Sequence, residues 1–299
     1  MEQSIIDNHL KAAAAWKATI KMAAKEAREG TSLSLLAQKI EAKIIEEGAG
    51  IAFPVNLSIG EEAAHFTPNW KKEEDRVLAE TDLLKIDIGT HVKGRICDGA
   101  ITINLDNKFA KQIEANELAL ANAISVVKIG TSTDKIGEQI EDTLKSKGFK
   151  PVYNLGGHGL GEYDIHAYPS VPNHGNGGGN ILEEGAIAIE PFCSTGKGHV
   201  SESIQVEIFA LNEGRTVRNP HARKILDTAK KYDDLPFAER WLKRDTKIDD
   251  FQFTLGMREL MKANCFETFP GLKESKGTMV TQVEKSVLVL EDKVIVLGE

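Results

Sequence analysis

The sequence predicts an α+β fold built from two pseudo-equivalent helix-helix-strands halves, with a helical insertion in the second half. Three observations predict it. Apolar residues first recur at helical spacing, then switch to short strand-like runs, and this succession occurs twice. The two β segments also resemble each other. In LLKIDIGTHVKG, Asp87 follows an apolar-rich run and Gly94 lies seven residues on; in AIAIEPFCSTGKG, Glu190 holds the same place and Gly198 lies eight residues on. Finally, the stretch from about Asn212 to Phe269 has no counterpart in the first half.

Taken in order, Ser4 with Asp7 three residues later reads as a helix start, and Ile6, Leu10, Ala13 and Ile20 follow on one face. A second helix follows Gly30, with Leu33, Leu36, Ile40 and Ile44 on its face and Gly48 as its stop. Leu83 to Ile88 and Arg95 to Leu105 read as the strands of a β-hairpin joined through Gly89 to Gly94. Leu120, Ile124 and Val127 mark a third helix. Thr131 and Asp134 open a fourth, with Ile136, Ile140 and Leu144 on its face and Gly148 after it. Strands return at Ala186 to Glu190 and Ser203 to Leu211. His221 to Arg244 and Phe251 to Ala263 read as helices, and strands resume at Thr278 to Leu297. The expected plan is a main domain of 1–211 and 270–299 carrying a helical insertion subdomain of 212–269.

Bulk properties exclude several classes. A chain of 299 residues, 41% hydrophobic, can bury a sizeable core without disulfide help. Cys97, Cys193 and Cys265 form no paired framework and no CxxC, as expected in a reducing cytoplasm. The start MEQSIIDNHL has neither a basic stretch nor an apolar run, so no signal peptide is expected, and no segment is long enough to span a membrane. A net charge of -8 argues against a general nucleic-acid binder, DNA included.

The carboxylates carry the chemistry. Strand interiors are depleted in Asp and Glu, yet Asp87, Asp98, Glu190 and Glu284 are each flanked by apolar strand-type residues. One such residue is ordinarily a solvated outward position. Four that converge on a buried surface would repel one another and lose hydration unless cations neutralised them, and divalent metals with oxygen ligands do that. His158 lies in the Gly-rich stretch NLGGHGLG, where glycines let the backbone approach closely; His166 follows eight residues later, and His65 sits in AAHFTPN. The remaining histidines read as ordinary, with His91 and His174 in loops. There is no GxSxG elbow and no P-loop, and the glycines at 175 and 177–179 form a flexible loop rather than a dinucleotide fingerprint.

These residues resemble a known family. KIDIGTHVKGRICDGAITI, NLGGHGLGEYDIHAYPSVPN, AIEPFCSTGKG and the QVEKSVLV segment are similar to the four metal-site motifs of methionine aminopeptidases, and IAFPVNLSIGEEAAHFTPN is similar to the segment carrying an active-site histidine. The insertion resembles the type 2 subfamily and the short N-terminus its archaeal form. The resemblance implies the pita-bread fold and two divalent ions per chain, with Co, Mn, Fe or Zn as candidates. It implies that Asp87 chelates one metal, that Asp98 and Glu284 bridge both, and that His158 and Glu190 complete the second. It further implies that His65 and His166 contact the substrate around the scissile bond, with Glu190 also moving the proton. Phe53, Ile165 and Phe269 would line the methionine pocket. Phe269 stands where a tyrosine is familiar, and Ile208 where the eukaryotic form has a histidine.

The implied activity is removal of the N-terminal initiator methionine from nascent proteins when the second residue is small. The implied partners are nascent peptides and the ribosome, with no DNA and no membrane, and the implied state is a cytoplasmic monomer. Two other readings stand beside it. X-Pro peptidases share this fold and these ligands but usually carry a further N-terminal domain, and only 64 residues precede His65. Non-catalytic binding members of the fold typically lose metal ligands, whereas all five are present here.

Overall fold

Matching helix caps and glycine stops set up the two halves. The structure, a computed structural model, describes residues 1–71, 75–212 and 214–299. The first half runs through α1 (Gln3–Glu26), α2 (Leu33–Glu46), β1 (Gly50–Ile51), β2 (Asn56–Ile59), β3 (Glu62–Ala64), β4 (Leu83–Val92) and β5 (Arg95–Asn104). The second runs through α3 (Ala110–Ser125), α4 (Thr133–Ser146), β6 (Lys150–Pro151), β7 (Gly156–Leu160), β8 (Ala167–Pro172), β9 (Gly185–Ile189), β10 (Phe192–Ser194) and β11 (Ser201–Leu211). Then follow α5 (Pro220–Ala229), β12 (Phe237–Ala238), α6 (Glu239–Thr246), α7 (Asp250–Lys262), β13 (Phe266–Lys273), β14 (Val280–Gln282), β15 (Lys285–Val289) and β16 (Val294–Val296).

The halves correspond closely in their local physics. Helices α2 and α4 are each 14 residues long, and the hydroxyls of Ser32 and Ser132 accept from the backbone N–H groups of Leu35 and Asp134. Gly30 and Gly130, at φ +80° and +84°, turn the chain into these helices. Their N–H groups donate to Leu78 and Leu182 at 2.8 and 2.9 Å. Strand pairing gives one sheet of β1-β4-β2 with β5 on β4, one of β14-β10-β6, one of β12-β11-β13-β3, and one of β16-β15-β9-β7-β8. Helices α1 and α2 cover the β4–β5 hairpin, while α3 and α4 cover β9 and β15, each with its own apolar core. Trp16 of α1 closes the first core on Gly99: its indole N–H donates to the Gly99 carbonyl at 3.1 Å, and a Cβ there would lie 2.6 Å from the ring.

Several local expectations need correction. Helix α1 begins at Gln3 with no side-chain cap, so Ser4 lies inside the first turn rather than before it. Thr131 does not cap α4; the next residue does. The hairpin strands run on through Gly89 to Val92, leaving a two-residue turn at Lys93 and Gly94, both at positive φ. His91 is therefore in a strand, its ring edge-on to Tyr163 at 5.4 Å, and not in a loop. Glu190 and Glu284 lie just past the end of β9 and just before β15, not inside strands. The expected helix from His221 to Arg244 breaks at Asp233, because Pro236 removes an N–H and bars the helical region to Leu235. Strands resume at Phe266, not Thr278; Pro270 and Gly271 hide this strand in the sequence, and Pro270 sits opposite Val206 where the β11–β13 register shifts.

Helices α5 to α7 share a core with β11, β12 and β13 that includes Phe209, Phe237, Phe253 and Phe266. Residue 213, in the expected insertion, lies outside the described residues. This body is tied to the first half by a buried ionic junction. Glu41 of α2 accepts from the Arg240 guanidinium with one oxygen and from the Trp241 indole at 2.9 Å with the other. Both charged side chains are largely shielded, at 10% and 8% exposure. Breaking a buried pair by removing one partner costs on the order of 3–5 kcal/mol. Glu41→Ala is therefore expected to lower Tm by about 6 °C or more, and Glu41→Gln by less, measured by scanning calorimetry. A Tm for Glu41→Ala within about 2 °C of wild type would mean the junction contributes nothing.

Candidate metal centre

The register of two strand pairs brings the acidic residues together. Asp87 on β4 lies opposite Ala100 on β5, and Asp98 is two residues from Ala100, so both carboxylates emerge diagonally on one face. The second half repeats the device. His158 on β7 lies opposite Ala188 on β9, and Glu190 is two residues beyond Ala188. Glu284 completes the set from a third direction. The β15–β9 register, continued by one residue, brings it opposite Glu190, and its N–H donates to Ala100 of β5 at 3.0 Å. That bond joins the two halves at the site. The Ser286 hydroxyl fastens the same junction, accepting from the Asp98 N–H at 2.7 Å and donating to the Asp98 carbonyl at 2.8 Å.

Glycines make room for His158. A Cβ on Gly157 would lie 2.1 Å from the Ala188 carbonyl oxygen, and one on Gly159 would lie 2.2 Å from that of Tyr168. The His158 Nδ1 faces the Gly159 carbonyl at 3.1 Å, so Nδ1 carries the proton and Nε2 presents a lone pair. That Nε2 lies 3.8 Å from both Asp98 Oδ2 and Glu190 Oε1. One ligand atom each from Asp98, His158 and Glu284 fall within 4.8 Å of one another.

Charge in this cluster is unbalanced. The Gln282 amide is the polar group shared among the carboxylates, donating to Asp87 and Glu190 at 3.3 Å and to Glu284 at 3.5 Å. Asp87 Oδ1, Asp98 Oδ1 and Glu284 Oε1 are buried without a hydrogen-bond partner. Burial pushes Asp87 up to about 7. Burial, then the neighbouring carboxylates, pushes Asp98, Glu190 and Glu284 well above the ordinary range. His158 moves the other way, to about 3, through burial and then the adjacent His166, so it is a neutral donor ligand at ordinary pH. Orphaned, desolvated carboxylate oxygens around a neutral imidazole fit divalent cations, whose charge and oxygen preference supply what the cluster lacks.

All ten residues singled out in the sequence line one cavity of about 520 Å³, within the usual range for a small-ligand pocket. Phe53 packs so closely on β4 that a Cβ at Gly89 would lie 2.2 Å from its ring. Phe269 stands edge-on to His65 at 5.9 Å and near His166 at 6.0 Å, and the rings of His158 and His166 meet at 4.7 Å. His65 holds a left-handed backbone at φ 64° and is shifted to about 4, by burial first. His166 is packed on several sides, which lowers its pKa, while one edge stays open to solvent. The cavity wall also includes Asn56, Ile208, Pro236, Tyr168 and Leu272. Gln282 was missed in the sequence, although strand alternation puts it on the Glu284 side, two residues away. Pro236 carried no readable signal, because it reaches the cavity only through tertiary packing.

Metallopeptidase family M24 matches residues 7–213. The methionine aminopeptidase of Pyrococcus horikoshii is 40% identical over 300 residues, covering 98% of this chain and 99% of the relative. That of Archaeoglobus fulgidus is 38% identical, covering 97% of both. Among solved structures, a thermophilic Arx1 matches with TM-score 0.85 at 16% identity, covering 100% of this chain and 91% of the other. The methionine aminopeptidase of Thermotoga maritima matches with TM-score 0.71 at 20% identity, covering 100% and 98%. The structural matches show the shared fold, and the relatives near 40% identity extend the likeness through Glu284, beyond the family match.

A carboxylate whose pKa rises on folding holds its proton more tightly in the folded chain. Without a cation, stability is therefore lost as pH rises from the ordinary carboxylate range through about 7, the value for Asp87. A bound divalent ion takes the place of those protons. The Tm gain from added Mn²⁺ should be small near pH 5 and grow through about pH 7, measured by thermal denaturation with and without the ion. An increment that does not change with pH would count against ion binding at this cluster.

Proposed function

The chain belongs to metallopeptidase family M24, and on that premise we propose that it is a methionine aminopeptidase of type 2, archaeal-like, that removes the N-terminal methionine from polypeptides whose second residue is small. The observation that carries the reading is the cluster of buried, unpartnered carboxylate oxygens at the base of a cavity with apolar walls. Asp87, Asp98, His158, Glu190 and Glu284 would hold two divalent ions drawn from Co, Mn, Fe or Zn. Ions bound there supply Lewis acidity toward the scissile carbonyl and acidify water at neutral pH.

The chain's own groups do the rest. Glu190 lines the cavity and can carry a proton from the attacking water to the leaving amine. The Nδ1 of His65 faces the Pro270 carbonyl at 3.3 Å, so it carries the ring proton. At neutral pH the His65 Nε2 is therefore an acceptor, suited to the N–H of the scissile peptide. His166, at the open edge, can donate to the developing oxyanion. Gln282 fixes three carboxylates relative to one another and so keeps their free oxygens convergent. Phe53, Ile165 and Phe269, with Ile208 and Pro236, offer apolar surface to one unbranched side chain, which suits methionine. In this reading residues 212–269 form a helical insertion on a main domain of 1–211 and 270–299. No helix of the described residues is long and apolar enough to cross a membrane. The proposed setting is the cytoplasm, as a monomer meeting nascent chains at the ribosome.

Two outcomes test this. Met-Ala peptides should be cleaved on the order of 100-fold faster than Met-Leu or Met-Lys peptides, because a bulky second residue near His65 misplaces the carbonyl by about 1 Å. Faster cleavage of Ala-Pro than of Met-Ala would favour an X-Pro peptidase instead. Glu284→Gln should lower metal affinity or rate by more than about 10–100-fold, since it removes a ligand rather than a supporting group. Wild-type metal content and turnover in that variant would remove Glu284 from the site.

A further inference from the structure

Of the large apolar and aromatic side chains exposed among the described residues, Tyr168 alone borders the cavity. It is 76% exposed, so its ring face is open to a ligand that enters the cavity. Its position follows from strand geometry. β8 is the edge strand of its sheet, pairing with β7 alone. Along β8 the buried Val171 faces the core, while Tyr168 and Ser170 turn the other way and line the cavity mouth. His166, in the turn that leads into β8, lines the same cavity two residues before Tyr168.

The ring is also held. The Tyr168 hydroxyl donates to Asn180 Oδ1 at 2.5 Å. Asn180 is anchored at the start of α4: its N–H donates to Thr133 Oγ1 at 3.1 Å, and its carbonyl accepts from the Thr133 N–H at 2.8 Å. The preceding glycines are fixed to the same turn, where Asp134 Oδ1 accepts from the N–H groups of Asn176 and Gly177 at 2.6 and 3.0 Å. The Gly/Asn-rich segment that reads in the sequence as a mere flexible loop thus serves as a brace for an exposed aromatic ring at the cavity mouth.

We infer that Tyr168 is a specificity-determining residue that stacks against the third residue of the polypeptide substrate. The inference rests on the aminopeptidase reading and adds to it a subsite beyond the scissile bond. Distance supports the placement. Two strand residues span about 6.6 Å, at about 3.3 Å each. A substrate whose first peptide bond lies at His166 and whose chain leaves along β8 therefore brings its third side chain to Tyr168. The contact is apolar or aromatic, because a ring face is what Tyr168 offers once its hydroxyl is engaged. An added aromatic contact of about 0.5–1.5 kcal/mol corresponds to roughly 2- to 10-fold in kcat/KM.

The test compares Met-Ala-Gly with Met-Ala-Phe on the metal-loaded full-length protein, as wild type, Tyr168→Ala and Tyr168→Phe. Wild type should prefer Met-Ala-Phe by about 2- to 10-fold, chiefly through KM. Tyr168→Ala should bring the ratio close to one. Tyr168→Phe keeps the ring but loses the Asn180 tether, and should fall between. A wild-type ratio of one, or a preference that survives in Tyr168→Ala, would overturn the subsite while leaving the aminopeptidase reading intact. Equal losses of kcat on both peptides in Tyr168→Ala would also overturn it, because they would indicate a structural role. No cleavage of either peptide by wild type would instead overturn the aminopeptidase reading, and the subsite with it.

Discussion

Four largely buried carboxylates held around one imidazole form the constraint on which the rest of this structure depends. Like charges at this spacing drive one another apart, and desolvation penalises each charge separately. Side chains on loops would relieve both costs by moving into solvent. Here they cannot, because Asp87 and Asp98 project from within the two ten-residue strands of one hairpin and the others from strand ends locked by ladder bonds. The shared neutral donor in the cluster, Gln282, reaches only one oxygen of each carboxylate it touches. The remaining imbalance is therefore built into the backbone, and cations are the species that relieve it.

The two halves solve the same positioning problem in the same way. Each places a ligand diagonally across an antiparallel pair, two residues from the partner directly opposite. This geometry needs only correct register, and a one-residue slip would turn every such side chain to the far face. Register is accordingly secured from outside the ladder. Trp16 is seated on Gly99 beside Asp98, and Ser286 is bonded to both backbone groups of Asp98. Glu284 has no counterpart in a diagonal pair. It enters at the seam between the halves, where its own N–H bonds to Ala100, so that closing the seam and completing the cluster are one event.

This explains which parts were legible in the sequence. The helix pairs were readable because Gly30, Gly48, Gly130 and Gly148 punctuate clean apolar faces. The acidic residues were readable because a carboxylate in an apolar strand-type run violates local preference. Gln282 was not, since an amide in a strand breaks no rule. The break at Asp233 and the strand at Phe266 were hidden by proline, which signals an interruption without saying what replaces it. The closeness of His65, His166 and Phe269 is purely tertiary: 205 residues separate His65 from the Pro270 carbonyl beside its ring. No local pattern records such a distance.

The cluster draws on both repeats, but the cavity wall also draws heavily on the unrepeated part. Ile208 lies on β11 of the second half, but Pro236 beside β12 and Phe269 on β13 lie in the stretch that has no counterpart in the first half. Part of the side-chain selection can thus vary in that stretch while the ligand geometry stays fixed in the two halves. The two functions are still coupled, through Phe269. Its ring touches both His65 and His166 while also walling the pocket, so a side chain that displaces it displaces the two histidines as well. A poorly fitting residue would then reduce turnover and not merely occupancy, because the groups it disturbs are those that must meet the scissile bond in the transition state.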